Sequence, residues 1–399
     1  MKNWFIWIVF ILPANLPAQP LKTFQLMASE DGTVKMPDGA TLPVWGFQVP
    51  GGNPVAYPGP RLVVSEGDSV RISVYNAGSM AHSFHLHGFG SDTSNNGEPA
   101  NPQIIQSGNT SVFAFRASAA GDYFYHCGLQ NPVHGQMGMA GLYTVLAAGG
   151  EKRAYTNGPQ YFKDYHWLLG EIDKDWRLNP PQQGNLPPFS PDYFVINGRY
   201  GDALGDYNGD VAILTALDQL PVFLTLTHFG AGRREVIFPE ILSATVAVRN
   251  GVPQIPAVPT DTLSLSPGES IGIILQPIIN GEDSIRVNYY APVNEALWHQ
   301  NAAPIYIQHH SATSEAATDN FVQILPNLVT DFLTVQFNLP PPKGKIEVEI
   351  FSENGGSVLR QDISPDQSIQ VQHLAAGIYF LKIRGENGRI IAGRTFLKQ

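Results

Sequence analysis

At 399 residues the chain is too long for one ordinary domain, so two or three are expected. A formal charge of −10 with no basic run argues against nucleic acid as a partner, and a single cysteine rules out an intramolecular disulfide. The 39 Gly, 32 Pro and 11% aromatic residues suit an all-β chain with many turns. In chain order, residues 1–18 read as a signal peptide. Lys2 supplies the basic end, Trp4 to Leu12 is continuously apolar, and small residues lead to Ala18. That apolar run is too short to span a bilayer.

Residues 19–150 alternate as short strands broken by turns. Arg61 to Val64 and Ser69 to Val74 flank the turn Glu66-Gly67-Asp68, and Asp122 to Tyr125 leads directly into His126-Cys127. Such spacing predicts a Greek-key β-sandwich. A second β unit is expected over 151–308, with a Pro-rich connector near 180–191 and strands around Trp167, Tyr193, Val222, Ala244 and Ile271. Its turn Ser266-Pro267-Gly268-Glu269 is similar to Ser65-Glu66-Gly67-Asp68, which hints at duplication. Residues 309–320 read as a polar linker. Residues 321–399 are expected to form a small third β-sandwich without a cluster of acids, bases or metal ligands.

The chemistry concentrates in residues 82–139, which hold five of the eleven histidines and the only cysteine. A thiolate, imidazoles and a thioether on β-rich sequence form the donor set that copper prefers, whereas zinc rarely recruits methionine. Alternate strand residues share a face. His85 and His87 therefore point one way, and His82 has the opposite parity. His126 and Cys127, being adjacent, also face opposite sides. The inner set is then His82, Cys127, His134 and Met139, a type 1 copper site, with Met137 as the fallback for the last position. The outer set is His85, His87 and His126, a second copper position joined to the first by the Cys127–His126 link. In the second unit, His228 in Thr227-His228-Phe229-Gly230 and His299 in Leu297-Trp298-His299-Gln300 are the candidate late ligands. His166 reads as a packed or exposed histidine without a metal.

The segment His82-Ser83-Phe84-His85-Leu86-His87-Gly88 resembles the HxxHxHG motif of multicopper oxidases, and His126-Cys127 resembles their histidine–cysteine pair. Tyr57 to Leu62 with Glu66-Gly67-Asp68 is similar to the opening of a cupredoxin domain in that family. The resemblance covers roughly residues 30–300. It implies two tandem cupredoxin-like sandwiches, with the four inner residues as type 1 ligands and the outer three as type 2 or type 3 ligands. Gly128 stands where the family's His-Cys-His triplet has its second histidine, and no His-x-His occurs between 150 and 308. The arrangement also resembles copper nitrite reductases, which implies a homotrimer in which a neighbour's His299 or His228 completes the second site. His85 occupies that family's catalytic Asp position, which argues against nitrite reduction. Leu325-Pro326-Asn327, Ala376 to Ile383 and Phe396-Leu397-Lys398-Gln399 resemble a type IX secretion sorting domain, implying contact with that machinery and an outer-surface or secreted location reached through the periplasm.

The expectation is an exported copper oxidoreductase that takes electrons from a small-molecule or protein donor and moves them from type 1 copper to a second copper. The alternative is a non-catalytic electron carrier or copper-binding surface protein.

Overall fold

A computed structural model describes residues 21–398 apart from 88–102, 183, 207–208, 217–219, 309–321, 326–327, 338–344, 353–355, 365–366 and 385–389. The proposed signal peptide and linker lie outside the described residues. The chain divides into two compact units, Met1–Ile307 and Gln308–Gln399.

The first unit opens with β1 (Leu21–Lys35), β2 (Thr41–Gln48), β3 (Gly59–Ser65), β4 (Ser69–Asn76), β5 (His85–His87), β6 (Thr110–Arg116) and β7 (Gly121–His126), then a short helix α1 (Val133–Gln136) and β8 (Ala140–Leu146). They form two facing sheets, ordered β2-β1-β4-β6 and β3-β8-β7-β5. Alternation drives the packing. Leu62 and Val64 on β3, Val70, Ile72 and Val74 on β4, and Phe113 on β6 point inward to one core with Phe84, Leu86, Tyr125 and Tyr143.

A second sandwich follows within the same unit. Its strands are β9 (Asp164–Ile172), β10 (Tyr193–Ile196), β11 (Ile213–Ala216), β12 (Val222–His228), β13 (Arg234–Ile237), β14 (Leu242–Arg249), β15 (Val252–Thr260), β16 (Thr262–Leu265), β17 (Ser270–Pro277), β18 (Gly281–Tyr290) and β19 (Leu297–Gln308). The sheets run β10-β9-β12-β17-β14-β15 and β11-β19-β18-β13-β16. The edge strand β15 carries Pro253, Pro256 and Pro259, and exposes Val252, Ile255 and Val258. Like α1, the short helix α2 (Lys174–Leu178) escapes the sequence reading. Its cap is Asp173, whose carboxylate accepts the Trp176 N–H at 3.0 Å.

The two sandwiches are clamped together by buried ions. On β9, His166 places Nδ1 2.5 Å from Asp122 of β7 and Nε2 2.6 Å from Asp164, and the Thr225 hydroxyl of β12 also donates to Asp122. Burial alone would lower the His166 pKa, but Asp122 and then Asp164 hold it up at about 9. The expected consequence is a loss of stability on the alkaline side. The contribution is full below the unfolded histidine value near 6.5 and disappears as pH rises through 9, about 3 kcal/mol in all. Thermal unfolding between pH 6 and 10 should show this limb in the wild type and not in His166→Gln.

The second unit pairs a three-stranded sheet (Val322–Leu325, Phe332–Phe337, Ser368–Gln370) with a five-stranded one that includes Ile346–Ser352 and Gly377–Arg384. Val329, Leu333, Val348, Ile350, Leu381, Ile383 and Phe396 share its core.

Candidate metal centre

Cys127 leaves the end of β7, where its N–H donates to the Met139 carbonyl at 3.1 Å. Turning back through α1 brings His134 beside it, with Nδ1 3.2 Å from the Cys127 sulfur. His82 arrives from the segment before β5, tied there by a two-way backbone bridge to Ile105. The ligating atoms of His82, Cys127 and His134 lie within 4.8 Å of one another, and all three residues are buried. Met139 packs in the same core cluster as Cys127, while Met137 is buried with its carbonyl accepting the Trp45 N–H. The Trp45 ring stands edge-on to His134 at 5.4 Å.

The atoms left over fit a metal. Nδ1 of His82 is buried without a hydrogen-bond partner, and Nδ1 of His134 is the ring nitrogen that faces the Cys127 sulfur. Glu30 occupies the other nitrogen of His82, with Oε1 2.9 Å from Nε2, which leaves Nδ1 as its metal-facing atom. Burial lowers the His82 pKa and takes that of His134 down to about 4, so both imidazoles are neutral and have a lone pair to offer. Burial pushes the Cys127 thiol up, a cost that a soft cation would remove by binding the thiolate. Ser83 already supports the sulfur through an N–H at 3.4 Å. The Ser83 hydroxyl meanwhile accepts the Gly128 N–H at 2.8 Å. Glu30 itself is held at about 2. Burial works against its charge, but the Ser79 and Met80 N–H groups, the Ser79 hydroxyl and His82 outweigh it.

On the other face of β5 and β7, His85 pairs in register with His126. Ring centroids separate His85 from His126 by 5.2 Å, His85 from His87 by 5.8 Å and His87 from His126 by 6.1 Å. The His87 ring stacks on Phe124 at 4.4 Å. Burial lowers His87, and burial with the neighbouring His85 takes His126 to about 4.

The second sandwich brings an aromatic ring and a tight turn to this cluster. Phe229 lies 5.8 Å from the His126 ring, and the Gly268 turn packs so closely that a Cβ there would sit 3.1 Å from His87. His228 continues the inward parity of Leu224 and Leu226 into the second core, where burial and the Arg234 charge push its pKa well down. His299 is exposed, stacks on Phe194 at 4.9 Å and faces Asn301. Among the described residues, the ring contacts of His87 and His126 outside their own cluster are with Phe124 and Phe229.

Comparison with known proteins bears on this geometry directly. The family described as multicopper oxidase matches residues 33–149. The chain carries a multicopper oxidase domain. The secretion system C-terminal sorting domain matches residues 323–394, so the chain carries a sorting domain for export later in its sequence than its multicopper oxidase domain. A copper-containing nitrite reductase of Neisseria gonorrhoeae is 29% identical over 196 residues, covering 47% of this chain and 45% of that protein. The chain thus spans about half the length of the curated relatives it matches. Among solved structures, the blue copper oxidase of Nitrosomonas europaea superposes with a TM-score of 0.57 at 21% identity, over 72% of this chain and 86% of that one. The copper nitrite reductase of the same organism gives 0.54 at 19% identity, over 73% and 95%. The fold is therefore cupredoxin-like, and copper is the cofactor of the multicopper oxidase domain.

Proposed function

We propose that this protein is an exported copper oxidoreductase with a type 1 site built from His82, Cys127, His134 and Met139 and a second copper position built from His85, His87 and His126. The observation that carries the reading is a pair of donor clusters, one gathered at the ends of β5 and β7 with α1 and the other on their outer face, joined by the single peptide bond between His126 and Cys127. Copper held there supplies one-electron chemistry between an external donor and an acceptor. The chain's own contribution is to keep the imidazoles neutral, to bury the sulfur from water, and to fix ring orientation through Glu30, Trp45 and Phe124. The donor is a small molecule or a partner protein. The route outward passes through the periplasm to the secretion machinery that reads the sorting domain.

A specific observation supports a narrower reading. Phe229 and Gly268 of the same chain close on the outer histidines, so a further ligand would come from a neighbouring copy in a homotrimer, or the protein is an electron carrier with one functional copper. Metal analysis with visible and electron-spin-resonance spectra separates these. Two coppers per chain, with a type 2 signal that disappears in His87→Ala while the thiolate band persists, is the result expected of the oxidoreductase. One copper per chain and an unaltered spectrum in His87→Ala would leave only the carrier.

A further inference from the structure

The two sandwiches of the first unit are copies of one plan. Parallel pairing of β1 with β4 and antiparallel pairing of β4 with β6 recur as β9 with β12 and β12 with β17. In the facing sheets, the order β3-β8-β7-β5 recurs as β11-β19-β18-β13, and β14 and β15 are an added hairpin. Register fixes the equivalence residue by residue. Ala28 pairs with Asn76, the last residue of β4, and Leu169 pairs with His228, the last residue of β12.

Counting from these two pairs, the same parts appear at the same steps. Two residues past Ala28 is Glu30, and two past Leu169 is Glu171. Two past Asn76 is Gly78, and two past His228 is Gly230. Each glycine presses so closely on its glutamate that a Cβ would collide with the carboxylate. Three past are Ser79 and Ala231, whose N–H groups donate to Glu30 and Glu171 respectively. Six past are His82 and Arg234. His82 Nε2 meets Glu30, and the Arg234 guanidinium meets Glu171, with both side chains of that pair fully buried. Finally, Gly121 and Gly281 open β7 and β18 with the same backbone φ, 156° and 155°, and six residues further on stand Cys127 and Val287.

We infer that Glu30 is a positioning residue of the metal centre, which holds His82 by Nε2 so that Nδ1 faces Cys127 and His134, and whose charge biases the centre toward Cu(II). The inference rests on the type 1 reading of that site. Its support is twofold: the contact itself, and the second copy, where the same glycine–amide–carboxylate cradle holds a permanent cation. A cradle that retains a guanidinium is suited to an imidazole whose positive partner is a metal ion. In the second sandwich Arg234 replaces the ligand, Val287 replaces the thiolate, and the charge that copper would bring is already present in the side chain. A carboxylate hydrogen-bonded to a ligating histidine raises its basicity and fixes its tautomer. A negative charge next to the centre also favours the more positive oxidation state.

The test uses the full chain loaded with copper. Glu30→Gln retains an oxygen to accept the Nε2 proton and removes the charge. It is expected to keep the thiolate band and raise the midpoint potential by about tenfold in Cu(I) over Cu(II) preference, ~59 mV for one electron. An unchanged potential in a copper-loaded Glu30→Gln protein overturns the inference. Should that variant not fold, Glu30→Asp keeps the charge and shortens the reach. Copper affinity lower by about 10–100-fold is then expected, and native affinity overturns it. A third readout needs no metal: nitrogen NMR of the copper-free wild type should find His82 protonated at Nε2, and protonation at Nδ1 would refute the contact. A wild-type chain that shows the Nε2 tautomer but never a thiolate band would overturn the type 1 reading and not the Glu30–His82 contact.

Discussion

Replacing Cys127 by Ser should abolish the intense visible absorption of the copper-loaded protein and weaken copper binding by more than about a hundredfold. The basis is the donor set. His134 and His82 alone leave two imidazoles and a distant thioether, a poor match to a copper that must be held in both oxidation states. Even outer-shell partners of metal ligands are worth about 10–100-fold in affinity, so loss of the thiolate itself exceeds that range. Serine is close in size, and Ser83 already supplies an N–H and a hydroxyl at the sulfur's position. The variant should therefore fold, with a melting temperature near that of the metal-free wild type. A persistent thiolate band in Cys127→Ser would remove the type 1 site from the account altogether, because the chain has no other cysteine.

The second large effect is predicted away from copper. Arg234→Met should cost about 3–5 kcal/mol of unfolding free energy, since it strands the fully buried Glu171 carboxylate among apolar neighbours. Arg234 also donates to the Ala231 carbonyl at 2.7 Å and lies over the Tyr289 ring, 4.5 Å from its centroid. Joint replacement of Arg234 and Glu171 by Met and Leu should recover most of the loss, because no charge then remains unpaired. Denaturant titration of the two singles and the double measures this coupling. A single variant that costs less than about 1 kcal/mol would place water or another partner at Glu171.

Much of the centre was legible because its information is local. The parity of His82 against His85 and His87, and of His126 against Cys127, needs nothing beyond the alternation of a strand, and the structure separates the two clusters along that division. Glu30 was not legible, since it meets His82 only through the pairing of β1 with β4, across 52 positions. The same applies to Asp122 and His166, 44 apart, and to Glu171 and Arg234, 63 apart. An ordinary histidine in sequence thus became an ion clamp, and an ordinary arginine became the buried partner of Glu171. The hint of duplication came from the wrong pair of turns. Ser65-to-Asp68 and Ser266-to-Glu269 do share one local design, an acid accepting the N–H three residues back and a left-handed glycine between. They nevertheless lead into β4 and β17, which are not equivalent strands. The true repeat lies in sheet order and register, which no short stretch of sequence displays.

The proline-bearing edge strand has a consequence for a protein that works outside the cell, where no ATP-driven chaperone can rescue it. β15 exposes Val252, Ile255 and Val258 at 60%, 78% and 51%, a profile that would invite another chain to add itself to the sheet. Pro253, Pro256 and Pro259 leave every third residue without an N–H to offer. A growing stack of strands needs an unbroken row of donors, and prolines three apart fall by turns on the two edges of the strand, so the open edge has gaps. The strand can keep its apolar side chains and still be a poor seed for fibrils, so solubility at this edge is written into the backbone and not into surface charge.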